Sequence, residues 1–238
     1  MKNLLDYYSL RARLIPSLIS TLPIIFFVFF IFPSKIIWLN LFWGIFLWCG
    51  LSFPIVNIVR SKGQKLEKKL FIQWGGMPSN LMLSHTKTIL NKNLLMRYHS
   101  LLSKLLPEIK IPSEEEEKEN FKDSYDIYDM CVAYLRDKTR DTEKYQLLFS
   151  ENINYGLKRN LLSLKNISIF ALIFLQSLSF YLYYINHHNI FSEQYFFYTG
   201  FNSILLFAWV FVVNRKWVKE SAMDYSKQLL GTLNEFEK

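Results

Sequence analysis

Four stretches of this 238-residue chain contain no Asp, Glu, Lys or Arg: 14–34, 36–59, 166–192 and 194–214. Each is as long as the roughly 20 apolar residues that cross a bilayer core. That pattern predicts an all-α polytopic membrane protein, with four transmembrane helices in two hairpins flanking a helical cytoplasmic domain. It excludes a simple soluble enzyme, a secreted disulfide scaffold and a disordered tail protein. The mean composition, 51% hydrophobic and 20% charged, conceals this segregation. The first stretch is too long for a signal peptide, and a second apolar run follows at once.

The segments are a short N-terminus (1–13), a first hairpin (14–60), a charged middle domain (61–165), a second hairpin (166–213) and a tail (214–238). Of the 28 Lys and Arg residues, all but Lys35 fall on the N-terminus, the middle domain or the tail. Basic residues close to span ends stay on the cytoplasmic side. Arg11 and Arg13, Arg60 and Lys62, Lys158 to Lys165, and Arg215 with Lys216 all agree. Both termini and the middle domain are therefore expected in the cytoplasm. The net charge of +8 is mostly this topogenic charge. The lipid bilayer is the expected partner, with further copies of the chain and a soluble protein as the others, and nucleic acid is not expected. Cys49 falls in a span and Cys131 in a reducing compartment, so no disulfide is implied.

Inside the first span, Pro16 is expected in the first helical turn, where a missing N–H is harmless. Pro23 should kink the helix, with Ser17, Ser20 and Thr21 near enough to serve a freed carbonyl. Gln176 and Asn202 are the deepest polar groups of the last two spans. Two readings stand for them: an interhelical hydrogen bond, or, with Ser203, the lining of a pore in an oligomer. The spans hold no ionisable group of the kind that coupled pumps use.

The middle domain reads as mainly helical. Gly75-Gly76-Met77-Pro78 is a turn signal after Trp74. Ser79 is a candidate cap for a helix to about Leu90. Leu94 to Leu106 carry a helical apolar stripe ended by Pro107. Ser113 with Glu116 fits a capping box, and the Glu114–Glu117 run reads as a solvated helix start. Tyr125, Tyr128, Val132 and Leu135 mark a helix ending near Thr139. A last helix opens at Asp141 or Thr142, with a break around Gly156.

For chemistry, His85, His99 and Cys131 are the classical metal or nucleophile candidates of the domain, but they stand singly, without CxxC or HExxH spacing. No metal, cofactor or catalytic set is expected, and a membrane-bound enzyme built on these three is the second alternative. His187 and His188 read as a surface loop. Trp74, Gly75 and Gly76 lack the length and the Lys-Ser/Thr ending of a phosphate loop. The richest polar set joins Arg97, His99, Arg136, Thr139, Arg140, Asp141, Glu151, Asn152, Asn154, Arg159 and Asn160, with His85, Trp74, Gly75 and Gly76 as further candidate ligand contacts. Three readings stand for it: an ion-pair network, a pocket for an anionic ligand such as a nucleotide or lipid head group, or a catalytic site.

From Trp74 onward the chain resembles a family of uncharacterised bacterial four-span inner-membrane proteins. The matching stretches are Trp74-Gly75-Gly76 with Pro78, Leu83 with His85, Arg97-Tyr98-His99, and Tyr134-Leu135-Arg136 with Thr139-Arg140-Asp141. Glu151-Asn152, Asn154-Tyr155-Gly156 and Arg159-Asn160 complete the pattern. Ser79 and Asn80 depart from two expected Thr, and Leu157 from an expected Phe. The resemblance implies a bacterial inner membrane and a two-plus-two span plan, and no reaction. The function expected is an oligomeric membrane protein whose cytoplasmic domain senses a ligand or partner. It would act on the bilayer as a pore or perturbing effector, in anti-phage or stress response. The first alternative is an anchor that recruits a soluble enzyme.

Overall fold

The structure is a computed structural model that describes residues 7–31, 38–185 and 192–236, with side chains described outside 29–55, Ser192 and Gln194. The fold is all-helical, 85% helix, without a strand among the described residues. The order is α1 (Tyr7–Ser9), a π turn (Leu10–Leu14), α2 (Ile15–Ile31), α3 (Trp38–Trp74), α4 (Pro78–Leu83) and α5 (Lys92–Leu105). Then follow α6 (Glu114–Glu119), α7 (Phe121–Lys138), α8 (Gln146–Ile185), α9 (Ser192–Phe207), a second π turn (Ala208–Val212), α10 (Arg215–Gly231) and a 3-10 turn (Thr232–Glu235).

Three helical stretches are long and apolar enough to cross a membrane: Tyr7–Val28, Gln146–Ile185 and Tyr195–Val212. The expected second span, 36–59, falls on the first part of α3, and most of its side chains, Cys49 included, lie outside the described residues. So do Lys35, His187 and His188.

The chain divides into two compact units. One comprises Met1–Leu66 and Gly156–Val218, the other Glu67–Tyr155 and Lys219–Lys238. In the first unit, α8 and α9 turn large apolar side chains outward. Phe170, Phe174, Phe196, Phe197, Phe207 and Phe211 are all exposed. Water penalises such a surface, and lipid does not. α2 meets α9 through aromatic rings, Phe26 stacking on Phe201 at 3.8 Å and Phe27 meeting Tyr198 edge-on at 5.8 Å.

Pro16 corrects a sequence expectation. Helix begins well before it, at Tyr7, so Pro16 is not in a first turn. In a regular α-helix the Ala12 carbonyl would accept from the N–H of residue 16, which proline lacks. The backbone widens into the π turn there. The fully buried Asn160 of α8 supplies the missing donor, Nδ2 to Ala12 O at 2.6 Å. Ser17, Ser20 and Thr21 donate to the carbonyls of Leu14, Ser17 and Leu18, and not to that of Ile19, the one Pro23 deprives. The second π turn is served likewise: the Lys165 ammonium donates to the Val210 and Val213 carbonyls at 2.8 and 2.7 Å. A cation there suits the negative end of a helix.

The second unit is a helical domain built around Leu102, Tyr128, Val132 and Leu135, from α5 and α7. Segment 214–238, set apart as a tail by its sequence, contributes Leu229, Leu230 and Leu233 to the same core. α8 runs without a break through Gly156, and the missing side chain there leaves room for the N-terminal helix. A Cβ there would come within 2.6 Å of the Tyr8 hydroxyl.

Candidate functional site

The polar centre of the helical domain is Glu117. Ser113 and Glu116 form the expected capping box at the start of α6, so Glu116 is spent at the helix end. Lys110 pairs with Glu116, and Lys118 with Glu114 at 2.6 Å. Those acids are the solvated helix start that the sequence predicts. Glu117 is the exception, only 1% exposed. Asn120 breaks the helix between α6 and α7, and Glu117 on α6 and Ser124 on α7 are both buried.

Five donors surround its carboxylate. Oε1 accepts from Ser84 Oγ at 2.5 Å, Thr86 Oγ1 at 2.6 Å and Thr86 N–H at 3.2 Å. Oε2 accepts from His85 N–H at 2.7 Å and from the Tyr128 hydroxyl at 2.7 Å. Burial by itself raises a carboxyl pKa, but these donors outweigh it and hold Glu117 at about 2. It is therefore a carboxylate at neutral pH. Tyr128 is pushed well above the usual phenol range by burial and then by its bond to that carboxylate.

This arrangement explains a second difference. The expected helix to Leu90 stops at Leu83, and Ser84 adopts an extended backbone. The donors of residues 84–86 turn toward Glu117 instead of continuing the helix. Pro78 opens α4 at its first turn, and Ser79 makes no side-chain cap. Ser79 and Asn80 are both fully buried, and Asn80 donates to Asp129 of α7 at 2.9 Å.

His85 and His99 come together beside this carboxylate. Their rings meet edge-on with centroids 4.7 Å apart. His85 Nε2 lies 3.1 Å from the Pro112 carbonyl and His99 Nε2 2.8 Å from that of Leu83. A carbonyl only accepts, so both rings carry hydrogen on Nε2. Burial depresses the His99 pKa most, the Leu83 carbonyl opposes that, His85 lowers it and Glu117 raises it. Among the described residues no three His, Cys, Asp or Glu side chains gather as a metal site.

Cys131 is fully buried and burial pushes its thiol up to about 11. A thiol that stays protonated is a poor nucleophile. In a Cys49→Ser background the native protein should resist maleimide at pH 7.5 and react once denatured. Rapid labelling of the folded protein, read by mass spectrometry, would contradict this burial.

The rest of the polar set disperses. Arg136 lies 3.9 Å from Asp129, Arg140 pairs with Asp137 at 2.6 Å, and both are exposed. Arg97 is also exposed, on α5. Glu151, Asn152 and Asn154 stand on α8, half-buried or exposed, and Arg159 is buried further along it. At the turn, Gly75 and Gly76 have φ of 81° and 146°, values that only glycine adopts easily. Tyr125 locks the turn by accepting from the Met77 N–H at 2.7 Å, and a Cβ on Gly76 would come within 2.7 Å of its ring. Trp74 is half-buried beside it.

Between the apolar helices, Asn202 Nδ2 donates to the Leu172 carbonyl at 3.2 Å and to Gln176 Oε1 at 2.9 Å. Gln176 Nε2 donates to Thr199 Oγ1 at 3.1 Å. Asn202 is buried, while Ser203 is exposed and bonds the Thr199 carbonyl at 2.8 Å.

The sequence reading missed Glu117, Ser84, Thr86 and Tyr128 as one cluster. No periodicity marks Glu117, because non-helical Asn120 separates its short helix from the stripe of α7. No family model, curated protein or solved structure matches this chain.

Proposed function

We propose that this chain is an oligomeric, four-span inner-membrane protein of bacteria, with both termini and the helical domain in the cytoplasm. The helical domain senses a ligand or partner and acts on the bilayer through the membrane-spanning helices, as a pore or perturbing effector. On this reading the chain belongs with the four-span bacterial membrane proteins that it resembles. The observation that carries it is the contrast within one chain. α8 and α9 present rows of exposed phenylalanine, whereas the other unit is a charged domain cored around Tyr128 and Glu117. The distribution of Lys and Arg supports the orientation.

The test is native mass in nanodiscs followed by ion leak from loaded vesicles. The reading expects at least a tetramer, leak above empty vesicles, and loss of that leak in Asn202→Leu and Gln176→Leu. A monomer or dimer without leak overturns it.

A second reading, the anchor that recruits a soluble enzyme, is favoured by one observation. Gln176, Thr199 and Asn202 bond one another within a single chain. Such pairs hold helices together, worth about 1 kcal/mol each in a membrane. On this reading Asn202→Leu loosens the helix pair and lowers the melting temperature by a few degrees. A stoichiometric soluble protein co-purifies.

A further inference from the structure

Beside the Gly75–Gly76 turn lies a cavity of about 160 Å³, walled by Trp74, Leu81, Met82, Ile89 and Met223. Its charged lining is cationic: Lys87, from the loop after α4, and Lys219, from α10. Both are exposed. Of the other lysines of this domain, Lys110, Lys118, Lys144 and Lys227 lie within 4 Å of a carboxylate, while Lys92 and Lys104 stand unpaired on other faces. Among the described residues Lys87 and Lys219 have no such partner. Lys87 instead rests over the Phe121 ring at 3.8 Å, which holds the ammonium in place without neutralising it.

Apolar walls with two unneutralised ammonium groups fit a ligand that is itself divided, an apolar body with an anionic head. Size decides which. Pockets for drug-sized ligands begin at about 300 Å³. The cavity is smaller, so it cannot enclose a nucleotide or the paired chains of a phospholipid, and it admits the first part of one acyl chain. Lysine lacks arginine's fork and meets either a carboxylate or a phosphate as a point charge, and of the two the carboxylate is the smaller head for a cavity of this size. The source follows from chain length. Lys219 comes seven residues after Val212, the end of the third membrane-length stretch. The chain therefore keeps it within about 25 Å of that end.

We propose that this cavity binds the head-proximal part of a fatty acid drawn from the bilayer, its carboxylate against Lys87 and Lys219 and its first methylenes against Trp74, Ile89 and Met223. This names the ligand class for the sensing domain, and its functional meaning rests on that reading.

The test uses the full chain in phosphatidylcholine nanodiscs doped with a long-chain fatty acid bearing a diazirine near the carboxylate. After photolysis, crosslinks are mapped by mass spectrometry. Labelling is expected at Leu81–Ile89 and Met223. It should fall about fivefold in the Lys87→Ala/Lys219→Ala double variant, as two exposed charge contacts imply. It should also fall in Ile89→Trp, which fills the cavity from an exposed position. Both variants should keep the parental melting temperature. Equal labelling by the matching fatty alcohol, undiminished labelling in the double variant, or crosslinks confined to the membrane-length helices overturns the proposal. Crosslinking at the cavity in a protein that never leaks overturns the effector reading and leaves the site standing. Leak without crosslinking does the reverse.

Discussion

Glu117→Ala should lower the melting temperature of the helical domain by 10 °C or more and release segment 84–86 to rapid hydrogen exchange. The substitution removes one side chain and strands the donors of Ser84, His85, Thr86 and Tyr128, with Tyr128 fully buried. A buried donor left unpaired costs about 1–3 kcal/mol, so stranding several of them costs about 3–5 kcal/mol in all. In a domain of this size each kcal/mol moves the midpoint by about 4 °C. Glu117→Gln is the sharper variant. Its shape is kept, but one carboxylate oxygen becomes an NH2 group facing donors, so it should recover little. An unchanged midpoint in both would mean that Glu117 does not hold the 84–86 segment.

The same carboxylate dictates an acid limit. Its folded pKa of about 2 lies below the ordinary 4.5. Its contribution is therefore complete above pH 4.5 and is lost as pH falls through about 2. The shift corresponds to roughly 3 kcal/mol, in line with the cost of the substitution. His99 acts in the same direction at higher pH. Its folded pKa is depressed, so protons favour the unfolded chain once pH drops below about 6.5. Protonation also adds a hydrogen at Nδ1 of a ring that already spends Nε2 on the Leu83 carbonyl and faces His85. A melting series from pH 8 to pH 3 should fall in two stages. His99→Gln should remove the upper stage and leave the lower.

Much of the fold was legible because two periodicities carry it. Charge-free runs marked three of the helices that are long and apolar enough for a membrane. The stripes at Leu95–Leu102 and Tyr128–Leu135 marked the core of the helical domain. The capping box at Ser113 was legible because its partners are three residues apart. The site was much less so. Glu117 sits in a run of four glutamates that differ only in which way they face, and facing depends on the packing of α7 against α4 and α5. The arginines drew notice as fork-shaped anion binders, yet Arg140 is occupied by a carboxylate three residues earlier on its own chain. Lys87 and Lys219 are 132 positions apart, and no local pattern brings them to one cavity. The tail was hidden for the same reason, since an amphipathic helix in sequence does not say which core it joins.

Asn160→Leu should be the most damaging single change in the other unit, with a loss on the order of 3 kcal/mol. Asn160 is fully buried and packs directly on Gly63, where a Cβ would fall 1.9 Å from its side-chain oxygen. A branched leucine at that contact forces α3 and α8 apart. It also deprives the Ala12 carbonyl of the donor that Pro16 cannot supply. The two causes separate in a double-mutant cycle. Pro16→Ala returns an N–H at position 16, one helical turn after Ala12, and so offers that carbonyl a partner inside its own helix. If the lost hydrogen bond matters, Pro16→Ala should be nearly neutral alone and should recover about 1 kcal/mol in the Asn160→Ala background, where no overpacking intervenes. It should recover little in Asn160→Leu, because the clash at Gly63 remains. Strict additivity of Pro16→Ala and Asn160→Ala would show that Asn160 acts through packing alone. Coupling would show that one proline's missing hydrogen, near the start of the chain, is the reason an asparagine is buried about 150 residues later.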